Sequence, residues 1–220
     1  MTIRMRYKEE LEKLNRGIVE MSTALTDAID KTEMAVKTQD VKLARELILG
    51  DDGFDAQERY LEKYCIDLVV KEAPIASDWR RIASIMRIVG DLERIADHCS
   101  DIALYVERLS KEPPAEPPEN FGKMMGVMKS MVSDIIPAFM NLDTNLAESV
   151  ATRDGIVDDL FEDTLRELCD KMKRQPESIP AYVDYLLIVK YVERMADHAV
   201  NVAEWIPYIA SGAYCLNTQF

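Results

Sequence analysis

The chain has little of what interrupts helices: eight glycines and nine prolines in 220 residues, with four of the prolines confined to Lys111-Glu112-Pro113-Pro114-Ala115-Glu116-Pro117-Pro118. That scarcity excludes a turn-dense β architecture. Nowhere do about eighteen apolar residues run together, which excludes a membrane-spanning helix. The start, Met1-Thr2-Ile3-Arg4-Met5-Arg6, carries no apolar signal core, so a soluble, cytoplasmic chain is expected. Cysteine is sparse, and Cys65, Cys99, Cys169 and Cys215 include no CxxC pair. They are expected to be buried free thiols in a reducing compartment, not a zinc knot or a disulfide framework. Basic charge is in deficit, with 27 Lys and Arg against 40 Asp and Glu, a net charge of −13 and a pI near 4.7. A nucleic-acid partner is thereby excluded, and an anionic bilayer is reached only through protein partners. A glycine-rich phosphate loop, a Walker lysine and a Ser/His/Asp set are all missing, which removes the commoner hydrolase and nucleotide-binding chemistries.

What is present is a helix former's vocabulary: 48% hydrophobic and 30% charged residues, with Met, Leu, Ala, Glu and Lys recurring throughout. From Met5 to Val36, apolar residues at Leu11, Leu14, Ile18, Met21, Leu25, Ala28 and Ala35 alternate steps of three and four, the seam of one long helix. Thr38-Gln39-Asp40 offers a turn and an N-cap. A second helix is expected from Val41 to about Lys71, weakened at Gly50 and Gly53, and a third to about Leu109, capped by Ser77 or Asp78. After the proline cluster the pattern repeats. A fourth helix is expected from about Glu119 to Ala151 with a kink at Pro137, a fifth from Gly155 to Lys173, and a sixth from Ala181 to Ile209. The fold class is therefore all-α: two tandem, pseudo-symmetric three-helix bundles over residues 1–110 and 119–210, a proline-rich linker at 111–118 and a tail at 211–220.

One hexapeptide occurs twice, Glu93-Arg94-Ile95-Ala96-Asp97-His98 and Glu193-Arg194-Met195-Ala196-Asp197-His198. When residues 81–103 are laid on 181–203, eight of 23 positions are identical, and five of the eight fall inside the hexapeptide. Retention there amid divergence elsewhere marks an internal repeat under functional constraint. A second correspondence, at an offset of 103, matches Asp51-x-x-x-Asp55 to Asp154-x-x-x-Asp158. On a helical wheel the core stripe of the third helix takes Val89, Leu92, Ala96, Cys99 and Ala103, leaving Glu93, Asp97 and Asp101 along one flank. Asp51 and Asp55 flank the stripe of the second helix in the same way. Four carboxylates thus converge on one groove per bundle: Asp51, Asp55, Glu93 and Asp97 in the first, and Asp154, Asp158, Glu193 and Asp197 in the second. Asp101 extends the first set, and Asn201 stands at its counterpart.

Exposed i,i+4 acidic pairs cost only about 0.2–0.5 kcal/mol each, so a solvated charged face or a polar partner surface would also tolerate them. Four pairs matched between halves and flanking the seams favour a cation site. Carboxylates suit hard or borderline ions such as Mg, Mn, Fe or Ca, and several in one groove suit more than one ion. His98 and His198, the only histidines, lie about 100° from the preceding Asp on the wheel and are expected to pair with Arg94 and Arg194 on the outer edge and not to ligate. A competing enzymatic possibility is that Asp51-Asp52-x-x-Asp55, with Asp158-Asp159-x-x-Glu162 as a second motif, holds magnesium and diphosphate as in all-helical prenyl synthases. The short chain and the duplicated plan weigh against it.

The duplicated E-R-x-A-D-H stretch, the paired D-x-x-x-D segments and the three-plus-three helix plan together resemble the PhoU family, regulators of phosphate uptake, over essentially the whole chain. The resemblance implies a cytoplasmic, non-enzymatic protein, often a homodimer, that binds a multinuclear metal cluster, iron or zinc, with manganese or magnesium as further candidates. Its ligands would be Asp51, Asp55, Glu93, Asp97, Asp101, Asp154, Asp158, Glu193 and Asp197. It also implies an adaptor between the ATPase of a phosphate ABC transporter and a sensor histidine kinase, negatively regulating the phosphate-starvation response.

Overall fold

The structure, a computed structural model, describes residues 3–72, 74–113 and 115–212. They form six α-helices and one short 3₁₀ turn: α1 (Ile3–Thr38), α2 (Val41–Glu72), α3 (Ala76–Leu109), α4 (Phe121–Asn141), α5 (Thr144–Arg174), the turn Pro176–Ser178, and α6 (Ile179–Ser211). Helices α1–α3 pack on one another as one bundle and α4–α6 as a second. The bundles meet chiefly through α3 on α6, with α1 against α4 at the side. The fold is thus all-α, built from two three-helix bundles in tandem.

The seam of α1 is buried as its spacing predicts, through Leu14, Ile18, Met21, Leu25 and Ala35. Gly17 admits α2 closely, since a Cβ there would lie 2.6 Å from the Leu61 side chain. Asp40 starts α2 by accepting the backbone N–H groups of Lys42 and Leu43 at 2.9 and 3.1 Å. Gly50 and Gly53 do not interrupt α2, because the stripe on either side of them is anchored by Ala44, Leu47 and Leu61. All five residues placed on the α3 stripe are buried.

Several boundaries differ from expectation. Helix α4 runs through Pro137 for one more turn and stops at Asn141, ten residues short of Ala151. Leu142 turns left-handed, at φ 51°, and the Asp143 carboxylate accepts from the N–H groups of Asn145 and Leu146. Helix α5 therefore begins at Thr144, and Gly155 lies inside it. Helix α3 starts after an extended Ile75 without a side-chain cap, and Asp78 sits in its first turn, where a carboxylate suits the helix dipole. Cys65 and Cys99 are buried free thiols, whereas Cys169 is exposed because its neighbour Leu168 takes the core position. Cys215 and most of the 211–220 tail lie outside the described residues.

The Asp143 cap carries a direct consequence. Asp143→Ala is expected to cost about 1 kcal/mol, lowering the urea midpoint without changing the slope of the transition. An unchanged midpoint would show that the α4–α5 corner is held by other contacts.

Candidate metal centre

Two i,i+4 acidic pairs stack on neighbouring helices in each bundle, Asp51 and Asp55 on α2 facing Glu93 and Asp97 on α3, and Asp154 and Asp158 on α5 facing Glu193 and Asp197 on α6. In the first bundle one carboxylate oxygen from each of Asp55, Glu93 and Asp97 lies within 4.8 Å of the others, the one such trio among the described residues. Glu93 is only 8% exposed, and its nearest cation is Arg94 Nε at 3.8 Å from Oε2. The arginines instead hold the rim: Arg59 Nη1 lies 3.1 Å from Asp55 Oδ2, and Arg94 Nη1 lies 3.0 Å from Asp97 Oδ2. Beside Asp51 and Cys99 the seam opens into a cavity of about 200 Å³, bordered by Gly50, Phe54 and Ala96.

The electrostatics follow from the geometry. Partial burial, then the charges of Asp97, Asp55, Asp101 and Asp52, push the Asp51 carboxyl up to about 6. Burial, then Asp97 and Glu58, push Glu93 up to about 7. In the second bundle, burial and the charges of Asp158, Asp197 and Glu193 raise Asp154 to about 6, and Asp158 and Asp197 move in the same direction, burial again the largest cause. Asp154 Oδ1 and Glu193 Oε2 are buried with no hydrogen-bond partner. Buried carboxylate oxygens that repel one another and lack donors fit a hard or borderline cation, the partner that would remove both penalties. The residues positioned to hold one are Asp51, Asp55, Glu93 and Asp97 in the first bundle and Asp154, Asp158, Glu193 and Asp197 in the second.

Asp101, whose charge also bears on Asp51, reaches a histidine. Its Oδ2 lies 3.3 Å from His98 Nδ1, at the junction between α3 and α6. His98 is buried there, with its ring centroid 5.1 Å from Tyr191 and 5.5 Å from His198. His198 Nδ1 reaches across to Asp91 Oδ1 at 2.9 Å, and Asn201 Nδ2 donates to the same oxygen at 3.2 Å. The histidines are therefore inter-bundle contacts and not partners of Arg94 and Arg194 on an outer edge. A face that is outward on one isolated bundle becomes interior once α3 meets α6. The Asp101/Asn201 difference goes with different contacts: Asp101 meets His98 on its own helix, whereas Asn201 donates across the junction to Asp91.

Sequence reasoning missed Glu58, one turn beyond Asp55, whose charge bears on Glu93, and Lys190, whose Nζ lies 2.6 Å from Glu193 Oε1. Spacing held the signal for both, since each lies three residues from a named ligand candidate on its own helix. The diphosphate alternative requires its two aspartate-rich segments to face each other. Among the described residues, α2 and α5 do not pack together, and Asp52 and Asp159 are both exposed.

Duplicated three-helix bundles, each with a carboxylate cluster on the seam between its second and third helices, define an all-helical tandem-repeat protein with acidic seams. The family model for the PhoU domain matches this chain twice, over residues 18–106 and 121–206, and the chain belongs to the PhoU family. A phosphate-specific transport system accessory protein PhoU homolog of Aquifex aeolicus is 37% identical over 190 residues, 86% of each chain. Its namesake in Clostridium acetobutylicum is 30% identical over 207 residues, 94% of each. The crystal structure of PhoU from Pseudomonas aeruginosa matches with a TM-score of 0.88 and 30% identity, covering 94% of this chain and 100% of that one. The phosphate transport system regulatory protein PhoU from Streptococcus pneumoniae matches with the same TM-score and identity, covering 94% and 98%.

The raised carboxyls set a pH dependence for the metal-free protein. Between about pH 4, where unfolded carboxyls titrate, and the folded values of about 6 to 7, the folded chain holds more protons than the unfolded one. Stability is thus expected to fall as pH rises through that window and to level off above it. Thermal midpoints measured in chelator across the window test this, and Glu93→Gln should flatten the slope. A midpoint that climbs with pH throughout the window would contradict it.

Proposed function

We propose that this protein is a metal-loaded accessory of a phosphate-specific transport system, acting by docking and not by turnover. The observation that carries this is Glu93, buried on the α2–α3 seam within 4.8 Å of Asp55 and Asp97 and without a hydrogen-bond donor, in a chain whose relatives are named phosphate-specific transport system accessory proteins. A bound multinuclear cluster, iron or zinc, would neutralise the gathered carboxylates and tie α2 to α3 and α5 to α6. The chain's own residues would then keep each bundle face rigid enough to be recognised by a partner. The partners are the ATPase subunit of the transporter and a sensor histidine kinase, with the protein, as a homodimer, holding the phosphate-starvation response off when phosphate is plentiful.

None of the described helices is long and apolar enough to cross a membrane, and the net charge of −13 disfavours direct adsorption to anionic lipid. Membrane association therefore runs through the transporter. Docking needs no cleft with a nucleophile and base, and the site offers carboxylates with arginines at the rim.

Elemental analysis of protein purified without chelator or affinity metal is expected to find more than one transition-metal ion per chain, and removal of metal should lower the thermal midpoint. Less than one ion per chain would remove the cluster. In a pulldown from cells grown in ample phosphate, the transporter ATPase or the kinase should be recovered. Recovery of neither, together with hydrolysis or condensation of a diphosphate by the purified chain, would overturn the regulatory role.

A further inference from the structure

The two carboxylate clusters are related by sequence repeat but differ in charge. Gly90 of the first repeat corresponds to Lys190 of the second at the offset of 100, and Glu58 corresponds to Phe161 at the offset of 103. Both exchanges occur at one place in each bundle: a Cβ on Gly90 would lie 3.5 Å from Glu58 Oε1, and Lys190 Nζ lies 5.2 Å from the centroid of the Phe161 ring. The first repeat has an additional carboxylate where the second has an aromatic ring, and no side chain where the second has an ammonium group. Lys190 uses that position to approach Glu193 Oε1 at 2.6 Å, whereas Glu93, the counterpart of Glu193, has no cation nearer than 3.8 Å.

We infer that the two sites load unequally: the first repeat is the primary cation site, and Lys190 is a built-in ammonium that occupies the second until a metal displaces it. This rests on the metal-binding role proposed above. Asp51, Asp55, Glu58, Glu93 and Asp97 present five carboxylates to the first seam, with Asp55 and Asp97 engaged by exposed rim arginines, while the second presents four, with Glu193 engaged by Lys190. A cation entering the first site meets one more carboxylate and three oxygens already gathered within 4.8 Å of one another, and on Glu93 it faces only Arg94 at 3.8 Å, beyond hydrogen-bond reach. In the second it must first free Glu193 from Lys190, whose side chain is 47% exposed and so can swing into water. The orphaned Glu193 Oε2 and Asp154 Oδ1 show that the second seam keeps binding capacity once the ammonium leaves. Arg59 and Arg94 do not play the part of Lys190 in the first site, because they lie at the rim with side chains 66% and 61% exposed and make their close contacts to Asp55 and Asp97, Arg94 reaching Glu93 only at 3.8 Å.

Titration of the metal-free, full-length protein with Mn(II), with free ion read by electron paramagnetic resonance, tests the order of loading. In the wild type, Glu93→Gln should abolish the tight set of sites and Glu193→Gln should leave it. Lys190→Met should tighten the second set by roughly tenfold or more, while Lys190→Arg, which keeps the charge, should not. Circular dichroism confirms that each variant folds. Without metal, Lys190→Met should also lower the thermal midpoint, since it leaves four carboxylates without an internal cation, and Mn(II) should restore it. If Glu193→Gln weakens the tight set as much as Glu93→Gln, or if Lys190→Met titrates as the wild type does, the sites are equivalent and this inference fails while the metal-binding role stands. If neither the wild type nor Lys190→Met takes up Mn(II), the metal-binding role fails and this inference falls with it.

Discussion

Helix α3 lying against α6 is the contact on which the remaining structure depends, because it makes one protein of two bundles and decides which edge of each helix is left for chemistry. Its centre is polar: His98 with Asp101, and His198 and Asn201 with Asp91, stacked beside Tyr191 and Tyr105. A buried polar junction demands that its partners meet in one register, since a slip would leave donors and acceptors unpaired. With α3 and α6 held in that register, Glu93 and Asp97 are directed to the α2 side and Glu193 and Asp197 to the α5 side. The hexapeptide is thus a two-sided device, with acids toward the seam of its own bundle and histidine toward the other bundle.

The seams themselves are places of conflict. Carboxylates brought together under partial burial repel one another and lose water, and the shifts of Asp51, Glu93 and Asp154 register that cost. Proteins resolve such a conflict by protonation, by an internal cation or by a bound one. This chain displays the second solution at Lys190 and Glu193, and at Glu93 no cation comes closer than Arg94 at 3.8 Å and no hydrogen bond relieves the charge. Rigid helices are suited to that task, because a site built on regular elements holds its ligands at distances that loops would let drift. Apolar stripes such as Val89, Leu92 and Ala96 supply the rigidity.

Acids gathered at a bundle seam lie beneath the outer faces of the helices. The helices bury their stripes against each other and leave long outer faces, and a cation at the seam would stiffen such a face without being exposed on it. Additional ties between the bundles, such as Lys129 on α4 bridging Glu33 at 3.1 Å and Asp30 on α1, keep the two outer faces in a fixed relation.

Helix periodicity, the proline cluster and the duplicated hexapeptide were sufficient by themselves to determine an all-α chain of two three-helix repeats and to nominate the acids, because 3.6-residue periodicity dictates which side chains share a face. The Asp143 cap was missed, because the run of apolar residues from Met124 to Leu142 carried the expected fourth helix past it to Ala151. What the linear chain did not determine was the partner of each face. A helical wheel describes one helix against an unspecified neighbour, so it set His98 and His198 outside, whereas α3 on α6 turned them toward the junction. Spacing set Glu58 and Lys190 one turn from ligand candidates, but the groups they act on were fixed only when α2 met α3 and α5 met α6. Local spacing therefore determined which residues are carboxylates on a seam, and only tertiary contact decided which of them face an internal cation and which do not, because charge acts through space and not along the chain.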